Sequence, residues 1–190
     1  MSQPKLYGFP PSTYVKTSLM VAAECGLDIE LQPLDFKKSS HFALHPYGKM
    51  PVLEHDGFVL YETMAIAVYL DQVFGSGSLC PADAPSHARM WQWASAAVDY
   101  AYPALVVALL QETPSREQLT DAAEHLKLLD AGLGADQWFA GSQLSVADFM
   151  LFPMVEFALR GWTGEALRGL PNLMRWQKLM AKRPGVEQAA

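Results

Sequence analysis

Two short segments of this chain combine reactive or polar side chains with backbone groups that secondary structure leaves free. The first is Leu44-His45-Pro46-Tyr47-Gly48-Lys49-Met50-Pro51, which runs directly into the apolar pair Val52-Leu53. Proline is tolerated as the first residue of a strand because it has no N–H to give to the ladder. A cis Met50–Pro51 bond would turn the N–H and C=O of Met50 outward like an unpaired strand edge, where a small peptide can add itself as an extra strand. A trans proline at a loop edge is the plainer alternative. The second segment is Tyr61-Glu62-Thr63-Met64-Ala65-Ile66, at an expected strand-to-helix junction. The free N–H groups and dipole of a helix N-terminus bind carboxylates. The Thr63 hydroxyl can donate to the same carboxylate, and Glu62 can accept from an α-amino group. Taken alone, Thr63 is explained as simply by an ordinary N-cap.

Other chemistries find little support. Cys25 and Cys80 are far apart and outside any CxxC, so neither a disulfide framework nor a zinc site is expected. The five histidines, at 41, 45, 55, 87 and 125, read as scattered, with no HxxxH-type pair on one helix face, and no metal is expected. With 14 basic against 20 acidic residues the formal charge is −6, and no basic stripe suggests a nucleic-acid partner. The N-terminus lacks the apolar core of a signal peptide. The longest apolar run, Ala101 to Leu110, is too short to span a bilayer and contains Pro103. A reducing, cytoplasmic compartment without membrane contact is the expectation.

The elements that must position these segments can be read in outline. Lys5-Leu6-Tyr7 is a strand candidate, followed by a breaker-rich turn over Gly8 to Pro11 and a helix from about Ser12 to Cys25 with Gly26 as its C-cap. Ile29 and Leu31 alternate with Glu30 and Gln32, as in a strand, so the chain opens β-α-β. Phe36 to Lys49 reads as loop or weak helix. Pro51 to Glu54 and Phe58 to Leu60 flank His55-Asp56-Gly57, a tight hairpin signal, and a helix from about Thr63 to Phe74 is stopped by Gly75. The stretch Gly75 to Pro85 (GSGSLCPADAP) breaks the composition and divides the chain into 1–75, a linker over 76–85, and 86–190. The last part reads all-helical: a long helix from Ser86 to about Gln111 bent at Pro103, another from Pro114-Ser115 to near Gly132, a third from Ser145, and a last one from Pro171 ended by Arg183-Pro184. Ser115 and Gln118, and Ser145 and Asp148, are spaced as capping boxes, which makes them folding signals.

The order β-α-β, connection, β-β-α is the thioredoxin-like arrangement. The run Pro46-Tyr47-Gly48-Lys49-Met50-Pro51, Asp56-Gly57, Leu60-Tyr61-Glu62-Thr63-Met64-Ala65-Ile66 and Tyr69-Leu70 closely resembles the N-terminal domain of glutathione transferases. The family pattern there is NP-aromatic-GxVP, then LxESxAI, then YL. His45 stands where Asn is usual. Thr63 stands for Ser and keeps the hydroxyl. Leu144-Ser145-Val146-Ala147-Asp148 resembles the family's LSxAD element, and Leu170-Pro171-Asn172-Leu173, Trp176 and Arg183-Pro184 its C-terminal helix, so the resemblance spans nearly the whole chain. It implies an α/β thioredoxin-like glutathione-binding domain followed by an all-α helical-bundle domain. The γ-glutamyl end of glutathione offers the carboxylate and the α-amino group that Thr63 and Glu62 suit. Lys49, Met50 (through its backbone), Pro51 and a loop cation, Lys38 or less surely Lys37, would hold the rest of the tripeptide. Tyr47 matches the aromatic that plugs a pocket on a partner subunit in several classes, which implies a homodimer.

A free thiol titrates near pKa ~8.5, so only a few per cent is the nucleophilic thiolate at neutral pH. Lowering that value by about two units needs roughly 3 kcal/mol, which a hydroxyl donor plus a helix N-terminus can supply. Ser12 stands at the start of the first helix, where the resemblance to the serine-type phi and theta classes implies a catalytic serine. Thr13 and Tyr14 are the reserves. Tyr7 is the counterpart of the tyrosine-type enzymes, although Gly8 lies closer to that residue's place. No Cys lies near this turn, which speaks against the cysteine-type relatives. An electrophile pocket is expected between the domains, lined by Phe9, Pro10, Tyr14 and, from the aromatic set Trp91, Trp93, Tyr100 and Tyr102, chiefly Tyr100. The reading is a detoxification-type transferase (conjugation, with peroxide reduction as a related activity) that joins glutathione as co-substrate to an apolar electrophile without metal or redox cofactor. The alternatives are a non-catalytic scaffold and a glutathione-dependent isomerase or lyase.

Overall fold

A computed structural model describes residues 2–160 and 169–189. The chain divides into two compact units, Met1–Gly77 with Arg183–Ala190, and Ser78–Lys182.

The first unit is built on a four-stranded sheet in the order β2-β1-β3-β4, from β1 (Lys5–Tyr7), β2 (Glu30–Gln32), β3 (Val52–His55) and β4 (Phe58–Tyr61). β1 pairs parallel with β2 and antiparallel with β3, and β3 pairs antiparallel with β4. This is the thioredoxin-like arrangement expected. The β3–β4 turn is tight because Asp56 and Gly57 both take positive φ, 49° and 80°, as a two-residue hairpin matched to strand twist requires. The helices are α1 (Thr13–Glu24), α2 (Ser39–Leu44) and α3 (Thr63–Val73). Leu6 and Leu53, opposite each other across β1 and β3, are fully buried, as are Val15, Val21, Ile66 and Leu70 from α1 and α3. Val52, next to Leu53 and on the opposite face of the sheet, is fully buried as well, so β3 is covered on both faces.

The end of the chain departs from the reading of a single all-helical second part. A short helix follows the one expected to be last, and it belongs to the first unit. Arg183 donates through both Nε and Nη2 to Glu24 Oε1 on α1, and the Gly185 N–H donates to Glu24 Oε2 at 3.0 Å. One carboxylate so anchors a side chain and a free helix N–H at once. A Cβ on Gly185 would stand 2.3 Å from the Met20 carbonyl oxygen, which is backbone and cannot give way. Gly185→Ala is therefore expected to destabilise the fold by about 2 kcal/mol. Urea unfolding is the measurement, and an unchanged midpoint would show that this contact does not hold in solution.

The second unit contains α4 (Ala84–Ala96), a π-helical continuation (Ala97–Val107), α5 (Arg116–Leu133), α6 (Val146–Leu159) and α7 (Pro171–Met180). The chain's final helix, α8 (Pro184–Gln188), is the one anchored by Glu24. Two sequence expectations are corrected here. α4 starts at Ala84, inside the expected linker, because Asp83 caps it by accepting from the Ser86 N–H at 3.0 Å and Pro85 suits a first turn. The expected α-helix through Pro103 widens into π turns, with the Ala108 N–H donating to the Pro103 carbonyl five residues back at 3.0 Å; a proline without an N–H cannot continue the α ladder. α5 ends at Leu133, near Gly132 as expected. Gly134, with φ 53°, is the stop, and Gly132 is small because a Cβ there would meet the Trp93 ring at 2.4 Å. The Ser115–Gln118 capping box forms as expected. Among the described residues no helix is long and apolar enough to cross a membrane.

Candidate functional site

The sheet register gathers the loops of the first unit at one end. Tyr7 pairs with Gln32 in the parallel β1–β2 ladder, with Val52 in the antiparallel β1–β3 ladder, and Val52 pairs with Tyr61. Continuing past this row, the turn that leads to Ser12, the loop that carries Lys38, the segment Lys49-Met50-Pro51 and the junction Glu62-Thr63 all leave the sheet at the same end. The Met50–Pro51 peptide is cis.

Ser12 is the N-cap of α1. It is half-buried and in extended conformation, and its Oγ accepts from the Val15 N–H at 3.4 Å. Capping uses an oxygen lone pair, so the hydroxyl hydrogen is not consumed by the helix. Thr13 is turned inward: it is 5% exposed, and its Oγ1 is buried without a hydrogen-bond partner. Tyr14 is half-buried in the first turn. The Tyr7 hydroxyl donates to Glu54 Oε2 at 2.8 Å, and burial together with that carboxylate raises its pKa. Its proton is held by an acceptor inside the protein, which removes Tyr7 from contention as a donor to an incoming thiol.

At the second helix terminus, Glu62 takes φ 72°, a left-handed conformation that a residue with a side chain rarely adopts, and makes no side-chain cap bond to α3. Such strain clusters at ligand sites, where a fixed backbone direction matters. Thr63, the first residue of α3, is buried. The first-turn N–H groups of α3 are therefore not closed off by the side chain of their own cap.

The loop from 37 to 51 is organised by histidines whose part the sequence reading missed. His41 and His45 are four residues apart on α2 and its C-cap, which corrects the expectation of no HxxxH-type pair on one helix face. Their rings meet edge to face at 6.3 Å. Both are buried. His41 Nδ1 accepts from the Lys37 N–H at 2.9 Å and its Nε2 donates to the Lys49 carbonyl at 2.7 Å. His45 Nδ1 accepts from the Tyr47 N–H at 3.3 Å, and its ring lies 4.7 Å from that of Tyr61. The nitrogens that these bonds occupy serve the backbone rather than a metal, and no cluster of three or more metal-ligating side chains occurs among the described residues. The HFALH spacing was the signal that could have revealed the pair.

Lys49 is exposed, and Lys38, also exposed, pairs with Asp35 at 3.2 Å. Phe9 and Pro10 are exposed on the turn after β1, with the Phe9 ring 5.9 Å from that of Phe36. Tyr100 belongs to the second unit, on the π-helical segment, and is exposed there.

Residues 2–72 match the family described as glutathione S-transferase, N-terminal domain, and residues 92–177 match its C-terminal domain. Glutathione S-transferase 3 of Zea mays is 31% identical, over 99% of this chain and 93% of that protein. The chain belongs to the glutathione transferase family. Glutathione S-transferase D7 of Drosophila melanogaster is 30% identical over 96% of this chain and 87% of its own length. In fold, this glutathione transferase is similar to the epsilon-class glutathione S-transferase of the housefly, Musca domestica, with a TM-score of 0.90 at 23% identity, over 98% and 91% of the two chains.

Proposed function

We propose that this glutathione transferase binds reduced glutathione at the end of the sheet where Ser12, Met50-Pro51 and Glu62-Thr63 lie, and that Ser12 activates the thiol. Glu62 accepts from the γ-glutamyl α-amino group. The Thr63 hydroxyl and the first-turn N–H groups of α3 receive the adjacent carboxylate, favoured by the helix dipole. The Met50 backbone aligns the cysteinyl residue like an added strand. Lys49 takes the glycyl carboxylate, joined by Lys38, whose exposed pairing with Asp35 is weak enough to exchange. The tripeptide thiol then reaches the N-terminus of α1 and gives up its proton to solvent, and the Ser12 hydroxyl donates to the thiolate sulfur left behind. The thiolate attacks an electrophilic carbon, a carbon–sulfur bond forms, and the displaced group leaves with the bonding pair. Phe9, Pro10 and Tyr14 offer the apolar surface next to this point for the electrophile. Holding both reactants in line and stabilising the thiolate are the sources of rate.

The observation that carries this reading is the convergence of two helix N-termini, one capped by a half-buried serine and one left open, with the segment around Pro51. The scaffold alternative is disfavoured, since the relatives named above carry the name of glutathione S-transferases. We further assign the chain to a cytoplasmic homodimer, in which Tyr47, 71% exposed, is the aromatic offered to the partner. The test is calorimetric titration with reduced glutathione, together with ultraviolet absorbance of the bound thiolate across pH. Saturable one-to-one binding with a thiol pKa below the free value of ~8.5 is expected. Absence of binding would overturn the proposal.

A further inference from the structure

His41 and His45 hold the loop on which the proposed glutathione cradle depends, and they do so through ring nitrogens bonded to its backbone. The Lys37 N–H has only a proton to offer, so His41 Nδ1 must be the acceptor; the Lys49 carbonyl can only accept, so His41 Nε2 must carry the proton. His41 therefore bridges the two sides of the loop, accepting on Nδ1 and donating from Nε2. The same logic applies at His45, whose Nδ1 accepts the Tyr47 N–H. The backbone around this ring is closed as well: the His45 N–H donates to the His41 carbonyl and the Gly48 N–H to the His45 carbonyl, each at 2.8 Å. Gly48, at φ 59°, takes the left-handed backbone that favours glycine, with the Phe42 ring 2.6 Å from where a Cβ would stand. Around His45 stand His41 and its own loop neighbours Tyr47 and Lys49, and from the β4–α3 junction Tyr61 and Glu62. Around His41 stand Phe36 and Phe42 by their rings, His45, and the backbones of Lys37 and Lys49.

We propose that His41 and His45 are positioning residues for the Lys49–Pro51 segment and the Glu62–Thr63 junction, and that His45 must be neutral for the two to receive glutathione together, so that His45 sets a lower pH limit on glutathione binding. The proposal rests on the assignment of that cradle to glutathione. Protonating His45 puts a second proton where the Tyr47 N–H already points, breaks that bond, and places a buried charge beside His41. Burial, His41 and Lys49 hold the His45 pKa below the ordinary value against the opposing pull of Glu62, so the neutral form prevails at neutral pH and is lost only as the solution becomes acidic. In the family pattern this position carries Asn, whose side-chain oxygen can accept the same N–H but does not titrate.

The test is calorimetric titration with S-methylglutathione, which has no thiol to ionise, from pH 7.5 to 5.0, with circular dichroism and thermal melting at each pH. The wild-type Kd is expected to rise below neutrality, approaching about tenfold per pH unit for each proton taken up. The α-amino group of the probe only becomes more fully protonated over this range, which would tighten its pairing with Glu62, so the loss cannot come from the probe. His45→Asn is expected to flatten the rise, and His45→Leu, which removes the acceptor, to weaken binding at every pH. A pH-independent wild-type Kd, or an Asn variant with the wild-type slope, would overturn the role of His45 while leaving the glutathione site standing. No binding of the probe at pH 7.5 would instead overturn the site, and the inference with it.

Discussion

Replacing Ser12 by alanine is expected to lower kcat/KM for conjugation by about 10²–10³, or roughly 3–4 kcal/mol of transition-state stabilisation, the scale for removing one preorganised donor from a developing or localised anion. The bound thiol should return towards its free pKa of ~8.5, so the rising limb of the pH–rate profile shifts to higher pH. Glutathione binding should weaken far less than the rate falls, because the tripeptide is held chiefly by groups at the other loops. The geometry behind this is that one oxygen has two tasks. Ser12 Oγ accepts from the Val15 N–H, at a long 3.4 Å, and its hydrogen remains to be donated to sulfur. Losing the cap costs about 1 kcal/mol of stability, and thermal melting separates that effect from the chemical one. The contrast variants sharpen the result. Tyr7→Phe should act close to wild type, because the Tyr7 hydroxyl is committed to Glu54. Thr13→Val should do the same, since the Thr13 hydroxyl is enclosed and unpaired. A wild-type rate in the Ser12→Ala enzyme, or a larger loss in either contrast variant, would transfer the role to another group.

The parts of this fold legible in the sequence are those decided within a few residues. Asp56-Gly57 fixes a hairpin because both residues must take positive φ, and Ser115 with Gln118 closes a helix start by reciprocal bonds. Ser12 could be placed at the head of α1 because the turn before it and Gly26 after it bound a helix of suitable length. What was not legible depends on partners distant in sequence or on how a local defect is absorbed. Pro103 signalled a bend, but whether the chain kinks or widens into π turns is decided by what packs around it. Gly132 looked like a stop because glycine often ends helices, whereas its small size answers to Trp93, some forty residues away. α8 was missed because its anchor is Glu24, at the other end of the chain. That anchor gives α1 a fixed tail as well as a reactive head: Glu24 ties its last turn to Arg183 and Gly185 while Ser12 opens its first. The candidate site was legible as segments and not as a framework. Glu62-Thr63 and Met50-Pro51 stand out by type, while the histidines that hold the loop do not, because a buried histidine is recognised by its hydrogen-bond partners and not by its neighbours in sequence.

Asp148→Ala is expected to produce the largest loss of stability, about 3–5 kcal/mol, read from urea unfolding followed by tryptophan fluorescence. The fully buried Asp148 carboxylate is shared by four donors: the Phe139 N–H at 3.0 Å and Trp176 Nε1 at 2.9 Å on one oxygen, and the Ser145 N–H and hydroxyl, both at 3.0 Å, on the other. It thus ties the start of α6 to the preceding loop and to α7, and removing it leaves buried donors with nothing to accept them. Asp148→Asn should cost less, because its oxygen can still serve Phe139 and Trp176, but its NH₂ then faces the Ser145 N–H. The two variants also differ from wild type in pH dependence. Burial pushes the Asp148 carboxyl up from 3.8 to about 6, and the bonds from Phe139, Trp176 and Ser145 recover only part of that cost. The folded state therefore holds the proton more tightly than the unfolded state. The stabilisation from this group is full below about pH 4, is lost as pH rises to about 6, and is flat above. A difference of about two units corresponds to roughly 3 kcal/mol. The stability gap between wild type and Asp148→Asn should accordingly widen as pH is lowered from 7 towards 4. A gap that stays constant over that range would mean that the carboxyl is not raised, and that its four hydrogen bonds outweigh its burial.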